Sequence, residues 1–532
     1  MTRPGSLNRR KGQESVNAFT FICPNHSSIL LLLHNWRVFG TRQDSSVKGS
    51  SLKIRKVLTI LAALMLSAAA SAANVTHYYT VTVDYSMSWL WVEARFSRPV
   101  DTVTARSRSA GRYLEDVRGC HEDPQIRMRN RRMMLPDGGI RCLNYTVNLE
   151  RAASEYRNSR NLAAANIVVS PSYWLWRPEL FDETNIEVEF RLPENVRVSV
   201  PWAQLDGSAN SYRIGRSPES ASAPAVFGEF DYREIEVPGA TLRVALLQTK
   251  EPMNNDAIMN FVQATATDVS LAYGYFPNPS PQVVVIPISS SRSSSPVPFG
   301  RVIRDGGETV ELFIDPSQPQ EDFLMDWTAT HEFSHMMVPY LHSEYRWISE
   351  GLAQYYQNVL LTRAGAYEEQ EAWQKIYAGL ERGRQSRPEL SPNAAASGSV
   401  RSARMKVYWS GAALALMADV NLREQSGGEE SLDTVLREFQ ACCLPSKVAW
   451  TGPEFFEKLD TLASKPVFMP LYRRYADTAG FPDTSVYLER LGVRVNDDEV
   501  SLRRRAELVE VRQAITQTHM PTARWRGQLA TN

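Results

Sequence analysis

The amino-acid sequence predicts an α+β protein, and the spacing of its apolar residues carries that prediction. Within residues 75–247, short segments such as Ala240–Leu246 alternate in polarity or are rich in β-branched residues, and turn sequences such as 136–139 separate them. From Trp347 onward the apolar residues recur mostly at helical spacing. A run of strands followed by a run of helices is typical of α+β folds. We therefore expect an N-terminal antiparallel β-domain followed by a largely helical part.

Between these two parts the sequence predicts one helix and two strands, followed by a second helix. The apolar spacing in residues 253–275 predicts the first helix, which Pro277 ends. The segments Gln282–Pro287 and Glu308–Ile314 are predicted as strands, separated by a serine-rich loop over residues 289–295. The second strand is expected to lead directly into the helix that contains the next feature.

That feature is the sequence HEFSH at residues 331–335. On a helix, His331 and His335 lie one turn apart on the same face, where both can bind one zinc ion. Glu332 between them is placed to act as a general base on the attacking water. The same spacing also arises by chance on exposed helices, so a catalytic zinc site needs a third protein ligand.

Three residues compete for the position of the third ligand. His342 lies seven residues after His335, one more than the HExxHxxGxxH pattern requires. Glu344 lies in a short polar connection. Glu350 begins an amphipathic run, which can form a helix antiparallel to the motif helix. Since a short connection between two such helices brings His331, His335 and Glu350 to one point, Glu350 is predicted as the third ligand.

Two segments resemble known zinc peptidases. The sequence WISEGLA, which contains Glu350, is similar to the W-x-x-E-G-x-A signature of the aminopeptidase N type. Further along, the sequence YWSGA that starts at Tyr408 and the segment 422–436 are similar to the glycyl aminopeptidases, a family of bacterial secreted and periplasmic zinc metallopeptidases. The resemblance covers roughly residues 253–498, and it implies a thermolysin-like zincin catalytic domain of the glutamate type.

The resemblance also implies roles for individual residues. His331, His335 and Glu350 match the three ligands of one Zn²⁺ ion, and Glu332 matches the general base. Tyr408 matches a tyrosine whose hydroxyl stabilises the oxyanion of the tetrahedral intermediate, a role that suits a phenol donor beside a polarised carbonyl. A packed aromatic residue at a helix start is the alternative interpretation of Tyr408.

Substrate binding is the least determined part of the site. In aminopeptidase N relatives, the strand before the motif helix carries a glutamate that captures the free amine of the substrate. Glu308 follows Gly306 and Gly307 and is the candidate for that role, with a plain edge-strand residue as the alternative. The spacer between His335 and Glu350 holds 14 residues, fewer than in those relatives.

Composition limits the other classes of function. The chain has 532 residues, more than one core usually holds, with 43% hydrophobic and 10% aromatic residues. Lys plus Arg and Asp plus Glu both number 59, so the formal net charge is zero. Because no basic excess is present, nucleic acid is not expected as a partner.

A secretory signal is predicted in residues 52–73. Basic residues between 53 and 56 precede the apolar stretch 57–66 and the small-residue run 67–73. This order is that of a signal peptide, with Ala70-Ser71-Ala72 as the expected cleavage sequence. The apolar stretch is short for a membrane span. We expect a periplasmic or secreted protein, with an uncleaved membrane anchor as the alternative.

Cysteine usage agrees with export. Five cysteines are present, and removal of the segment that holds Cys23 leaves four. An even number suits an oxidising compartment. Cys120 and Cys142 lie in one β-rich region and are able to pair with each other, whereas the sequence leaves the bonding of Cys442 and Cys443 open.

The predicted organisation along the chain follows from these patterns. Its segments are a non-native or disordered leader (1–51), a signal peptide (52–73), the N-terminal β-domain (74–248), the zincin catalytic subdomain (249–365), a helical subdomain (366–498) and a C-terminal tail (499–532). The predicted function is hydrolysis of peptide bonds by a zinc-dependent aminopeptidase. A zinc endopeptidase and a non-catalytic peptide-binding protein on a peptidase fold are the alternatives. A peptide or protein substrate is the expected partner, and the sequence leaves the oligomeric state open.

Overall fold

The computed structural model describes nine stretches of the chain: 75–120, 126–156, 166–181, 184–218, 223–249, 252–288, 295–304, 307–398 and 400–517. The predicted leader, signal peptide and Cys23 lie outside the described residues. In the described stretches, no helix combines the length and the apolar character needed to cross a membrane.

The described strands fall into an N-terminal group and a later group that adjoins the helices. They are β1 (Val75–Val83), β2 (Trp89–Val100), β3 (Thr102–Thr104), β4 (Leu114–Gly119), β5 (Arg127–Arg129), β6 (Arg132–Met134), β7 (Ile140–Asn148), β8 (Asn166–Val169), β9 (Thr184–Arg191), β10 (Arg197–Ser199), β11 (Ala203–Gln204), β12 (Ser211–Ile214), β13 (Ala225–Gly228), β14 (Asp231–Val237), β15 (Ala240–Leu246), β16 (Gln282–Pro287), β17 (Phe299–Arg304), β18 (Glu308–Ile314), β19 (Val493–Asn496) and β20 (Glu499–Leu502).

The described α-helices lie mostly after the strands. They are α1 (Leu149–Ala153), α2 (Asn255–Ser270), α3 (Gln320–Met325), α4 (Thr328–Ser334), α5 (Arg346–Arg363), α6 (Glu369–Gln385), α7 (Pro392–Ser397), α8 (Val400–Ser426), α9 (Leu432–Cys443), α10 (Gly452–Leu462), α11 (Phe468–Tyr475), α12 (Ser485–Leu491) and α13 (Val509–Thr516). This distribution confirms the predicted α+β class.

The N-terminal part is built on a seven-stranded sheet in the order β11-β12-β9-β1-β2-β7-β4. Its strands alternate between buried and more exposed residues, as a sheet with one face on a core requires. Most neighbours are antiparallel, as predicted, but β1 and β9 are parallel. A long connection that contains β2 to β8 separates these two strands, so a parallel arrangement is sterically open to them.

The predicted zinc site adjoins a second sheet, whose strand order is β14-β15-β16-β18-β17. The three central strands are parallel, and the outer strands β14 and β17 run antiparallel to their neighbours. The sequence had grouped β14 and β15 with the N-terminal β-domain, yet both pair into this second sheet. The sequence analysis assigned no element to the residues that form β17. This strand is short and contains a glycine and two arginines, and it is ordered by its pairing with β18.

Both faces of this sheet are covered, which explains why β16 and β18 are buried along their whole length. Val283 and Val285 belong to the core shared with the helices, whereas Val284 and Ile286 pack against residues of the small sheet β10-β13-β8. The N-terminal part therefore supports the sheet from the side opposite to the helices.

The helices pack on the other face and share one core with the sheet. That core extends from Ile235 on β14 to Ile515 on α13. The segment after residue 498, expected to be a tail, instead forms β20 and α13 as far as Thr516. Arg363 on α5 is hydrogen-bonded to this segment, since its Nε donates to the backbone oxygen of Ile515 at 2.9 Å.

Two disulfides lie among the described residues. Cys120 is bonded to Cys142, in agreement with the expectation from sequence. Cys442 is bonded to its neighbour Cys443, a pairing that the sequence left open.

Candidate active site

The HEFSH sequence lies on α4 and on the single 3₁₀ turn that continues it, His335–Met337. The sequence had predicted a direct passage from β18 to this helix, but α3 lies between them. Pro319 precedes α3, and Glu321 and Asp322 lie in its first turn, where acidic side chains favour a helix start. Apolar residues of the motif segment, including Phe333, enter the main core, so the polar residues face the opposite side.

The second helix, α5, brings Glu350 to both histidines. The distance from Glu350 Oε2 is 3.4 Å to His331 Nε2 and 3.5 Å to His335 Nε2. One donor atom from each of the three residues lies within 4.8 Å of the other two. Two imidazole nitrogens and a carboxylate oxygen are the donor set of many catalytic zinc sites, so these residues fit a zinc ion.

The second nitrogen of each histidine is also engaged. His331 Nδ1 lies 2.9 Å from Gln357 Oε1, and His335 Nδ1 lies 3.0 Å from Ser349 Oγ. An Nδ1–H that donates to such an oxygen leaves the Nε2 lone pair free for a metal. Sequence reasoning missed both partners. Gln357 is two helical turns after Glu350 on the same face of α5, and this spacing was the available signal.

The competing third ligands lie elsewhere. His342 and Glu344 are exposed and do not belong to the group of converging donor atoms. The backbone N–H of His342 instead donates to Trp450 O at 3.0 Å.

Burial and the neighbouring charged side chains shift the pKa values of the site residues. Burial alone would raise the pKa of Glu350, but His335 and His331 hold it well below its usual value. Burial alone would lower the pKa of His331, yet the hydrogen bond to Glu350 and the charges of Glu332 and Glu350 raise it. For Glu332 burial dominates, and its pKa is raised. A carboxyl with a raised pKa is better suited to hold a proton.

The edge strand β17 passes directly beside Glu332. A Cβ atom at Gly300 would lie 2.5 Å from Glu332 Cγ. Any larger residue at position 300 would therefore displace the carboxylate of Glu332. Sequence reasoning missed this contact because it placed no strand there.

Tyr408 lies inside the long helix α8, two turns after its start, rather than at a helix start. Its ring stacks on that of His331, with centroids 5.8 Å apart and planes at 16°. Burial raises the pKa of Tyr408, and the charge of Glu350 and a hydrogen bond to that carboxylate raise it further. The phenol is therefore protonated at neutral pH and is able to donate a hydrogen bond.

Close contact between α5 and α8 brings Tyr408 to the candidate metal-binding residues. A Cβ atom on Gly351 would lie 2.2 Å from the Cα of Gly411, and one on Gly411 would lie 2.0 Å from Trp347 O. Gly351 follows Glu350 directly, and Gly411 is one turn after Tyr408. The two glycines thus allow the helix backbones to touch where the functional side chains meet.

Glu308 is held by two other side chains. Arg304 Nε donates to Glu308 Oε1 at 2.6 Å, and Asn278 Nδ2 donates to Glu308 Oε2 at 2.7 Å. Arg304 also donates to the backbone oxygens of His335 and Val338. These bonds link Glu308 to the end of the motif segment, and its role in capturing an amine stays a prediction.

Three exposed side chains lie around the site. Trp327 is one turn before His331, with ring centroids 5.9 Å apart, and remains 40% exposed. Phe299 on β17, beside Gly300, is 52% exposed. Arg404 lies on α8 with its guanidinium carbon 5.5 Å from the ring centroid of Tyr408. The rim thus contains both apolar surface and a positive charge.

Comparison with known proteins agrees with this geometry. Residues 328–413 match the family model of the M61 glycyl aminopeptidases. The matched segment contains His331, Glu332, His335, Glu350 and Tyr408, so the resemblance predicted from sequence is confirmed here. This match identifies the protein as a peptidase. A comparison with curated protein sequences found no match.

Two solved structures are similar to this chain to different degrees. An aminopeptidase N family protein from Idiomarina loihiensis superposes with a TM-score of 0.52 at 14% identity, covering 82% of this chain and 78% of that one. An M1 zinc metallopeptidase from Deinococcus radiodurans has a TM-score of 0.47 at 11% identity, covering 77% of this chain and 94% of that one. At such low identity, the first of these likenesses supports the fold alone.

Proposed function

We propose that this chain is a zinc-dependent aminopeptidase. The observation that carries the proposal is the convergence of His331, His335 and Glu350 beside Glu332 and Tyr408. A bound zinc ion would supply Lewis-acid activation of the attacking water and of the substrate carbonyl. The family match over residues 328–413 supports aminopeptidase activity.

Each of these side chains has a separate role in hydrolysis. Glu332 accepts a proton from the attacking water and delivers it to the amine that leaves. Its raised pKa, caused by burial, suits this transient protonation. The hydroxyl of Tyr408 donates to the oxyanion that develops on the carbonyl oxygen. Gln357 and Ser349 hold the two imidazoles in the orientation that directs Nε2 toward the metal.

The Glu332→Gln variant tests this mechanism. It keeps the shape of the side chain but removes the base, so turnover on peptides should fall by at least about 10²-fold while zinc content stays at one equivalent. Activity and zinc content measured on the same preparation separate the two effects. Full activity in the variant would contradict the mechanism, and wild-type protein that binds no zinc would contradict the proposal as a whole.

A zinc endopeptidase is the second candidate, and the contacts of Glu308 favour it. Both carboxylate oxygens of Glu308 already accept hydrogen bonds, one from Arg304 and one from Asn278. Capture of a substrate amine by Glu308 would have to displace one of them. Paired peptides with free and acetylated N-termini distinguish the two activities, because a strict aminopeptidase leaves the acetylated peptide intact.

Export to the periplasm or the medium is also part of the proposal. The order of basic, apolar and small residues in 52–73 supports it, and the two disulfides are consistent with an oxidising compartment. N-terminal sequencing of the mature protein should find a chain that starts at residue 73 or 74. A chain that retains residues 52–73 in the membrane fraction would favour the anchored form instead.

A further inference from the structure

Among the described residues at the rim, Arg404 carries a charge that the proposed mechanism does not use. It lies four residues before Tyr408 on α8, so the two side chains share one face of the helix. The guanidinium carbon is 5.5 Å from the ring centroid of Tyr408. The guanidinium therefore lies directly beside the phenol ring.

Arg304, the other arginine whose charge acts on the site, is already engaged. It is buried, pairs with Glu308 and donates to the backbone oxygens of His335 and Val338. Arg404 differs, because it is exposed. Within the described stretches, no carboxylate lies within salt-bridge distance of its guanidinium. A planar guanidinium stacked on an aromatic ring is held in place and still offers its N–H groups to a ligand.

We propose that Arg404 binds a carboxylate of the peptide substrate, one or two residues away from the bond that is cleaved. The inference rests on the proposed function, in which Tyr408 faces the scissile carbonyl. Each residue of extended chain spans about 3.3–3.6 Å. The guanidinium carbon lies 5.5 Å from the ring centroid of Tyr408, so a chain that passes the phenol reaches Arg404 within about one or two such steps. Guanidinium and carboxylate match each other in geometry and form paired, charge-assisted hydrogen bonds.

Two kinds of substrate present a carboxylate at that distance. One is a di- or tripeptide, whose free C-terminus lies close to its first peptide bond. The other is a longer peptide with an aspartate or glutamate next to the scissile bond. Both kinds of substrate present the carboxylate that Arg404 would bind. Pairs of peptides that differ only in that carboxylate distinguish between them.

The test uses the full-length, zinc-loaded protein with the variants Arg404→Ala and Arg404→Lys. Arg401→Ala is the matched control, because Arg401 is an exposed arginine at the same end of α8. One pair of substrates is a dipeptide with a free or an amidated C-terminus. The other pair is an amidated pentapeptide with aspartate or asparagine in the second position. Zinc content and thermal unfolding are measured for each variant.

The wild type should cleave at least one carboxylate-bearing peptide with about tenfold higher kcat/KM than its neutral partner, as expected for hydrogen bonds to a charged group. Arg404→Ala should remove that preference through a higher KM, Arg404→Lys should keep part of it, and Arg401→Ala should keep all of it. The pair that shows the preference identifies the source of the carboxylate.

Two results would overturn the inference while leaving the proposed function intact. One is a wild type that cleaves both members of each pair equally well. The other is an Arg404→Ala variant whose kcat/KM falls by the same factor on charged and neutral peptides, which would mean that Arg404 acts only through Tyr408 or α8. Failure of the wild type to cleave any of the peptides in a zinc-dependent way would contradict the proposed function instead.

Discussion

The backbones of Gly351 and Gly411 are in contact, and this contact determines how closely Tyr408 approaches Glu350. A Cβ atom on Gly351 would lie 2.2 Å from the Cα of Gly411, so a residue with a side chain does not fit here unless the two helices move apart. Glu350 directly precedes Gly351 on α5, and Tyr408 lies one turn before Gly411 on α8. The distance between the candidate metal-binding carboxylate and the phenol thus depends on two residues without side chains.

The first prediction concerns this contact. Gly411→Ala places a methyl group 2.0 Å from Trp347 O, so α5 and α8 must separate. Unfolding free energy should fall by about 1–3 kcal/mol, and kcat should fall because Tyr408 moves away from the substrate. Thermal unfolding and peptide kinetics measure the two effects. Gly398→Ala is the control, because a Cβ atom there meets only ordinary contacts at 3.5 Å or more. Equal behaviour of the two variants would contradict the role given to the helix contact.

Removal of the Tyr408 hydroxyl is the second prediction. Tyr408→Phe keeps the ring stacked on His331 and removes the proton donor. The expected result is a fall in kcat of about 10²–10³-fold with little change in KM, as for loss of one oxyanion donor. Steady-state kinetics on one peptide, with zinc content as control, test it. If kcat is unchanged, Tyr408 is a packing residue.

The third prediction concerns the partners of the two histidines. Gln357→Met removes the hydrogen bond to His331 Nδ1 at nearly constant volume, and zinc affinity should fall by about 10–100-fold. Gln354→Met, at another buried glutamine of α5, is the matched control. Competition with a chromogenic chelator measures the affinity. A variant that binds zinc as tightly as the control would show that Gln357 does not orient His331.

The fourth prediction is a pH dependence of zinc binding. In the metal-free protein, the pKa of His331 is raised: burial alone would lower it, but Glu350 and Glu332 raise it more. Protons therefore compete with zinc at a higher pH than for a free imidazole, whose pKa is about 6.5. Zinc affinity should decline as the pH falls, beginning above about 6.5.

The same shift has a consequence for the stability of the metal-free protein. A raised histidine pKa stabilises the fold at pH values below the unfolded value of about 6.5, and this contribution is lost as the pH rises through the folded-state value. Zinc titrations and unfolding curves of the metal-free protein, both measured over a series of pH values, test the two statements. Zinc affinity that stays constant down to about pH 6 would contradict the raised pKa.

The fifth prediction tests the role of Glu308. Because its oxygens accept from Arg304 and Asn278, Glu308→Gln should lower the free energy of unfolding by about 1–3 kcal/mol. The ratio of activities on peptides with free and acetylated N-termini should stay unchanged. A selective loss of activity on the free peptide would instead support amine capture by Glu308. Asn278→Ala serves as a control that weakens the same cluster without removing a charge.

The sequence by itself determined the chemistry of the site and the order of its elements. A helical turn fixes the relation between His331 and His335, so local spacing was sufficient to identify them. The strands Gln282–Pro287 and Glu308–Ile314 were predicted with the observed bounds, because both are rich in β-branched and other apolar residues and are separated by a serine-rich loop. Glu350 was predicted from its place at the start of an amphipathic run after the motif helix, whereas Tyr408 came from the resemblance of a short motif to known peptidases.

Only the tertiary structure decided which further residues meet at the site. Gln357, Ser349 and Gly300 contact the motif residues through packing between elements that are separate in sequence. The spacing of Gln357 from Glu350 is a local signal, but the contact with His331 depends on how the two helices pack. The strand β17 exists because it pairs with β18, and β14 and β15 join the second sheet because their partners lie there. Local spacing specifies helices and strands within a few residues, whereas contacts between distant segments depend on how the whole chain packs.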